Sequence, residues 1–196
     1  MNIQKLLFVV FLVALSSACG AAPSVLPPAL PSTSTASVEY PTLEECPSPT
    51  PGTLLLKNEA DGYCLLYPSE YSVVYPFAGE VCLVSGEPQM ACHDANAMLS
   101  VESAAGRTVG QIADGLLATI GDHPIQRTTL MIASKEATVI DNYPAVDTQR
   151  IVLIVHGEQL YTLTFTPFRE DGGQEHRRVE ILYTTVVNSL AFLPEK

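Results

Sequence analysis

Hydrophobic positions from Gly62 onward follow two spacings, an alternation of apolar and polar residues and a helical recurrence of about 3.6 residues. The alternation is clearest in Leu160–Phe168, where Tyr161, Leu163 and Phe165 interleave with Thr162, Thr164 and Thr166. That pattern predicts a strand in a sheet covered on one side. Shorter strand-like runs are Gly62–Pro68 and Tyr71–Pro76, each ended by proline, then Glu80–Val84, Ala97–Ser103, Thr129–Ser134, Glu136–Ile140 and the longer Ala145–Val155. Gly157-Glu158 reads as the hairpin turn between the last two strands. A first helix is predicted from Thr108, whose hydroxyl and the Gln111 side chain form a capping-box pair. Val109, Ile112, Leu116 and Ile120 supply its apolar stripe, and Gly121 stops it. A second helix, about residues 175–190, carries Val179, Leu182, Val186 and Leu190 on one face. Antiparallel strands with two single-striped helices predict an α+β domain, an antiparallel β-sheet with the helices packed on it.

The first residues obey a different pattern. Leu6–Leu15 is uninterrupted and apolar, preceded by Lys5 and followed by Ser16, Ser17 and Ala18. Such a run is too short for a spanning helix, which takes about 20 residues. It suits the core of an export signal. Leu15-Ser16-Ser17-Ala18-Cys19 resembles the lipobox of bacterial lipoproteins, with Ser16 where Leu is commonest. The resemblance implies that residues 1–18 are removed as a lipoprotein signal peptide. Cys19 then becomes a lipidated N-terminus, palmitate being an expected acyl chain, on the extracytoplasmic face of the cell membrane. Two or more acyl chains give a stable anchor where one gives marginal attachment.

Residues 19–52 hold eight of the 15 prolines, no Lys or Arg, and recurrent Ser and Thr. Prolines without backbone donors cannot build a helix or a central strand, so a disordered, partly polyproline-II linker is expected between the lipidated cysteine and a domain spanning 53–196. The chain carries 10 basic and 21 acidic side chains, a net charge of −11 that becomes −12 once Lys5 leaves with the signal. That deficit of cations excludes nucleic-acid binding, which needs a basic patch to displace counterions.

Lipidation of Cys19 leaves four cysteines, an even number, in an oxidising compartment. Three pairings of Cys46, Cys64, Cys82 and Cys92 can be drawn. The runs 81–84 and 90–92 flank Ser85-Gly86-Glu87-Pro88-Gln89, a turn-rich hairpin loop, and so favour Cys82–Cys92. Cys46 then pairs with Cys64. A metal site at Cys92, His93 and Asp94 is disfavoured because adjacent side chains on a strand point to opposite faces.

Gly62-Tyr63-Cys64-Leu65-Leu66-Tyr67-Pro68-Ser69-Glu70-Tyr71 resembles the opening strand and turn of the PsbP-like superfamily, with Tyr71 where Trp is common. Asn142-Tyr143-Pro144-Ala145 is similar to that superfamily's Gly-x-Pro-Ala lead-in to a long central strand. The resemblance covers about residues 55–194 and implies the same α+β fold. It implies a binding scaffold without a catalytic motif: members include an extrinsic photosystem II subunit, a partner of a nuclear-import GTPase and bacterial lipoproteins of unknown role.

Chemistry-bearing motifs are sparse. His93, His123, His156 and His176 show no metal-ligand spacing, and neither a nucleophile elbow nor a phosphate-binding glycine loop occurs. His156 reads as a turn residue, and His176 with Arg177 and Arg178 as a solvated helix face. Tyr63, Tyr67, Tyr71 and Tyr75 recur every four residues, but Pro68 interrupts them, so core and rim packing is expected. No cofactor and no metal is expected. The expected function is a non-catalytic binding or accessory domain, anchored through its lipid and meeting a protein partner in the cell envelope. Its expected surface is a groove of Tyr and Thr on the uncovered sheet face. The alternative is an extracytoplasmic enzyme or small-ligand-binding protein whose acids and a histidine converge only in three dimensions. A histidine with two carboxylates in one pocket would favour that alternative.

Overall fold

The computed structural model describes residues 45–86, 92, 95–168 and 173–194. Cys19, the export signal, most of the linker, His93 and Asp94 lie outside the described residues. The strands are β1 (Thr53–Asn58), β2 (Tyr63–Pro68), β3 (Tyr71–Val74), β4 (Glu80–Ser85), β5 (Ala97–Ser103), β6 (Gln126–Ile132), β7 (Lys135–Tyr143), β8 (Gln149–His156), β9 (Gln159–Phe165) and β10 (Ala191–Phe192). The helices are α1 (Val109–Leu117) and α2 (Gly173–Ser189). The strands form two antiparallel sheets, one ordered β1-β2-β10 and one ordered β3-β4-β5-β9-β8-β7-β6. Among the described residues the architecture is therefore α+β with two helices, as the periodicity predicts, but with ten strands in two sheets rather than one.

One face of the large sheet presents Val81, Leu83, Leu99, Val139, Val152, Ile154, Tyr161, Leu163 and Phe165. These pack with Leu56, Tyr63, Leu65 and Tyr67 of the small sheet and with Val179, Leu182, Val186 and Leu190, the predicted stripe of α2. The opposite face is not bare. Ile140, Ile151, Leu153 and Leu160 are buried there with Val109, Ile112 and Ala113 of α1. The one-sided covering expected from β9 thus holds only around Thr162 and Thr164, which are half-buried. Leu160 was the signal for the second core, since it breaks the polar series on that face.

Local chemistry sets the element ends. At α1, the Thr108 Oγ1 accepts from the Gln111 N–H (3.3 Å) and the Thr108 N–H donates to the Gln111 side-chain carbonyl (2.9 Å), closing the predicted capping box. The helix ends at Leu117, a turn before Gly121, where the Thr119 hydroxyl donates to the Leu116 carbonyl (3.0 Å). The β6–β7 turn is Ala133-Ser134, both at positive φ (49° and 60°), so Ser134 turns the chain instead of ending a strand. No glycine, proline or asparagine marks that turn. The lead-in Ala145–Thr148 stays outside β8: the pairing steps over a bulge between Ile140 and Tyr143, with Asn142 at φ 60°, and closes on the pair Tyr143–Gln149. At the C-terminus of α2 the Ser189 hydroxyl accepts from the Leu66 N–H (2.8 Å) and donates to the Thr185 carbonyl (2.6 Å), fastening the helix along β2.

Disulfides join Cys46 to Cys64 and Cys82 to Cys92, with Cα–Cα distances of 5.6 and 5.9 Å. The strand that follows β4 and pairs with it is β5, however, so Cys92 lies between strands and not on a hairpin arm. Its sulfur is committed to Cys82, which removes it as a thiolate ligand. Arg150 makes a two-pronged contact to the Asp141 carboxylate and lies 3.8 Å from the Phe168 ring centroid and 4.4 Å from that of Tyr183. It pins α2 to the bulged end of β7 by charge-assisted hydrogen bonding and cation–π stacking.

Candidate functional site

An open cleft of about 990 Å³ lies where the ends of the two sheets meet. Three chain segments build most of it, the β1–β2 turn, the β8–β9 hairpin and Leu193-Pro194 after β10, and Val101 of β5 completes the lining. Each is shaped by short-range chemistry. In the first turn, Asn58 Oδ1 accepts from the Asp61 N–H (3.1 Å) and Asn58 Nδ2 donates to Asp61 Oδ2 (2.7 Å), an Asx-type closure. Gly62 follows at φ 71°, a backbone state that β-carbon sterics deny most residues. In the hairpin, Gly157 at φ 58° with Glu158 makes the expected two-residue turn.

Long-range bonds hold the three pieces in register. The Tyr161 hydroxyl donates to the Asp61 carbonyl (2.8 Å), joining β9 to the first turn. The Leu193 N–H donates to the Gly62 carbonyl (2.8 Å), extending the β10–β2 pairing by one step. Phe192 lies beneath, stacked on the His156 ring at 4.3 Å and tilted against Tyr161 at 4.8 Å. Tyr63 meets Tyr161 edge-on at 6.1 Å, and burial pushes its phenol pKa above the ordinary range.

The ionisable groups of the cleft are Lys57, Glu59, Asp61, His156 and Glu158. Lys57 pairs with Glu59 at 2.7 Å, Asp61 is engaged by Asn58, and His156 lies flat on Phe192. The surface is acidic at its rim and aromatic at its floor. His156 sits at its strand end as expected, and the structure brings it into one cleft with three carboxylates, which no sequence spacing announced. Among the described residues no group of three His, Cys, Asp or Glu is disposed to hold a metal ion.

The other singled-out residues lie elsewhere. Tyr63, Tyr67 and Tyr71 are core residues and Tyr75 is exposed. None of them joins Thr162 and Thr164, because the tyrosines of β2 and β9 face the shared core while the threonines point away from it. The expected groove of Tyr and Thr is therefore not formed. His123 is exposed in the loop before β6, and His176 is half-buried, its ring 5.0 Å from that of Phe168, not on a solvated face.

No family model and no curated protein matches the sequence. Among solved structures, the chain is similar to the solution structure of cyanobacterial PsbP (CyanoP) from Synechocystis sp. PCC 6803, at 15% identity and a TM-score of 0.45, over 76% of this chain and 98% of that chain.

Proposed function

We propose that this chain is a non-catalytic binding or accessory domain of the cell envelope, lipid-anchored through Cys19 and facing the extracytoplasmic side, and that the cleft contacts its protein partner. The observation that carries this reading is the local commitment of the cleft's ionisable groups other than Glu158. Catalysis by acids and bases needs groups converging on one reacting atom, whereas here Glu59 serves Lys57, Asp61 closes its own turn and His156 stacks on Phe192. An open surface with a polar rim and an aromatic floor suits a protein contact. Both disulfides suit an exported domain, and the sequence resemblance to a superfamily of binding scaffolds points the same way.

A photo-crosslinking residue at Glu158, in the exposed hairpin, tests the reading in intact cells. The expected result is one discrete adduct, absent with the same probe at Asp122 and reduced by Cys19→Ser. Equal labelling from both positions refutes it. The second reading, an extracytoplasmic enzyme, is favoured by the meeting of His156 with Glu59, Asp61 and Glu158 in one cleft. It requires a turnover, found by screening the purified chain, that His156→Ala abolishes.

A further inference from the structure

We infer that β6 is a self-pairing edge, through which two copies of this chain join their large sheets antiparallel about a two-fold axis at Thr129. β6 ends the seven-stranded sheet, so one side of its backbone has no strand partner among the described residues. Six of its seven residues, Gln126 to Met131, are exposed. Proteins ordinarily blunt such edges with short strands, prolines, bulges or charges. The other terminal strands are shorter: β3 has four residues, followed by Pro76, and β1 has six, with Lys57 among them. β6 has no proline, and its one charge, Arg127, is already paired with Asp114 of α1.

The self-complementary sequence of β6 points to a second copy as the occupant, and charge does not oppose it. The chain carries 21 acids against 10 bases, so copies repel wherever acids face acids, yet β6 holds no acid at all. Pairing all seven residues antiparallel with themselves fixes the register. Thr129 then faces Thr129 of the partner copy, Thr128 faces Leu130, and Arg127 faces Met131. Leu130 and Met131 are 42% and 69% exposed, and lie on opposite sheet faces. In this register each gains an apolar neighbour, the Thr128 methyl or the Arg127 stem. No like charges oppose, and a Thr–Thr pair at the axis is a favourable cross-strand contact. A single strand pair is small beside standard interfaces, so the dimer is expected to be weak in dilute solution.

Charge exchange at the axis tests this. Sedimentation of the full chain in density-matched detergent should show a concentration-dependent dimer. Thr129→Lys and Thr129→Glu, both at an exposed site, should each weaken it about fivefold or more, because each opposes like charges across the axis. An equimolar mixture of the two variants should restore dimerisation. A parent chain that stays monomeric at about 1 mM overturns the proposal. So does a dimer indifferent to Thr129→Lys, or a mixture that fails to recover. A foreign strand bound at the edge, seen as a distinct band co-sedimenting with monomeric parent chain, overturns it too.

Discussion

Removing the Cys46–Cys64 crosslink, by Cys46→Ala with Cys64→Ala, tests how the domain holds the segment that leads into it. The bond closes a loop of 18 residues. Loop-closure entropy for that length gives a loss of about 3 kcal/mol at 25 °C, through the greater freedom of the unfolded chain. Cys64 is fully buried in β2, so deleting its sulfur adds a small cavity cost of about 1 kcal/mol. Urea unfolding of the double variant should therefore show stability lower by about 3–4 kcal/mol. The lesion should also be local. Residues 50–53 keep their own bonds, from the Thr53 N–H to the Thr50 carbonyl and from the Ser69 N–H to the Gly52 carbonyl, both 2.9 Å. Proteolysis of the variant should thus begin within 45–49 and spare β1. A loss below about 1 kcal/mol, with the parent's four thiols shown to be oxidised, would refute the reasoning. It would mean that the unfolded chain is already constrained there.

Three further expectations rest on named contacts. Burial raises the phenol of Tyr71 to about 12 and that of Tyr63 further, while both titrate near 10 when unfolded. The neutral forms stabilise the fold fully below pH 10, and stability should fall above it by about 1.4 kcal/mol per pH unit for each residue. Urea midpoints at pH 9 and 11 check this, with Tyr71→Phe giving the shallower decline. Tyr161→Phe removes the bond to the Asp61 carbonyl. A loss of about 1 kcal/mol is expected, with faster amide exchange confined to residues 59–62. Arg150→Met leaves the Asp141 carboxylate, 18% exposed, without its guanidinium; thermal melts should register about 2–3 kcal/mol of destabilisation, and Asp141→Asn on that background should recover part of it.

Where a side chain's own periodicity decides its fate, the sequence was a sufficient guide. The α2 stripe, the α1 capping box and the Gly157-Glu158 turn all follow from neighbours within a few residues, and all are present. What escaped depends on distant partners. β1 reads Thr-Leu-Leu-Leu-Lys-Asn without alternation, and becomes a strand because β2 offers it an edge. β10 is two residues long and exists only through Tyr63 and Cys64. The cleft was illegible for the same reason. Its floor joins Phe192 to His156 and Tyr161, and its rim joins Asp61 to Tyr161, 100 positions apart.

The topology also makes the proposed activities separable. The linker is fastened to β2, the cleft is framed by the β1–β2 turn, the β8–β9 hairpin and the chain after β10, and the β6 edge belongs to a hairpin that contributes to neither. β9 and β6 are separated by β8 and β7, hence by three strand spacings of about 4.8 Å, or roughly 14 Å. Substitutions that far apart without a shared partner usually add within about 0.5 kcal/mol. Tyr161→Phe combined with Thr129→Lys should therefore lose stability by the sum of the single effects, while only Thr129→Lys alters sedimentation. An interaction energy above about 1 kcal/mol would show that the large sheet transmits strain from its edge to the cleft. In that case copies paired at β6 would tune partner binding, not merely sit beside it.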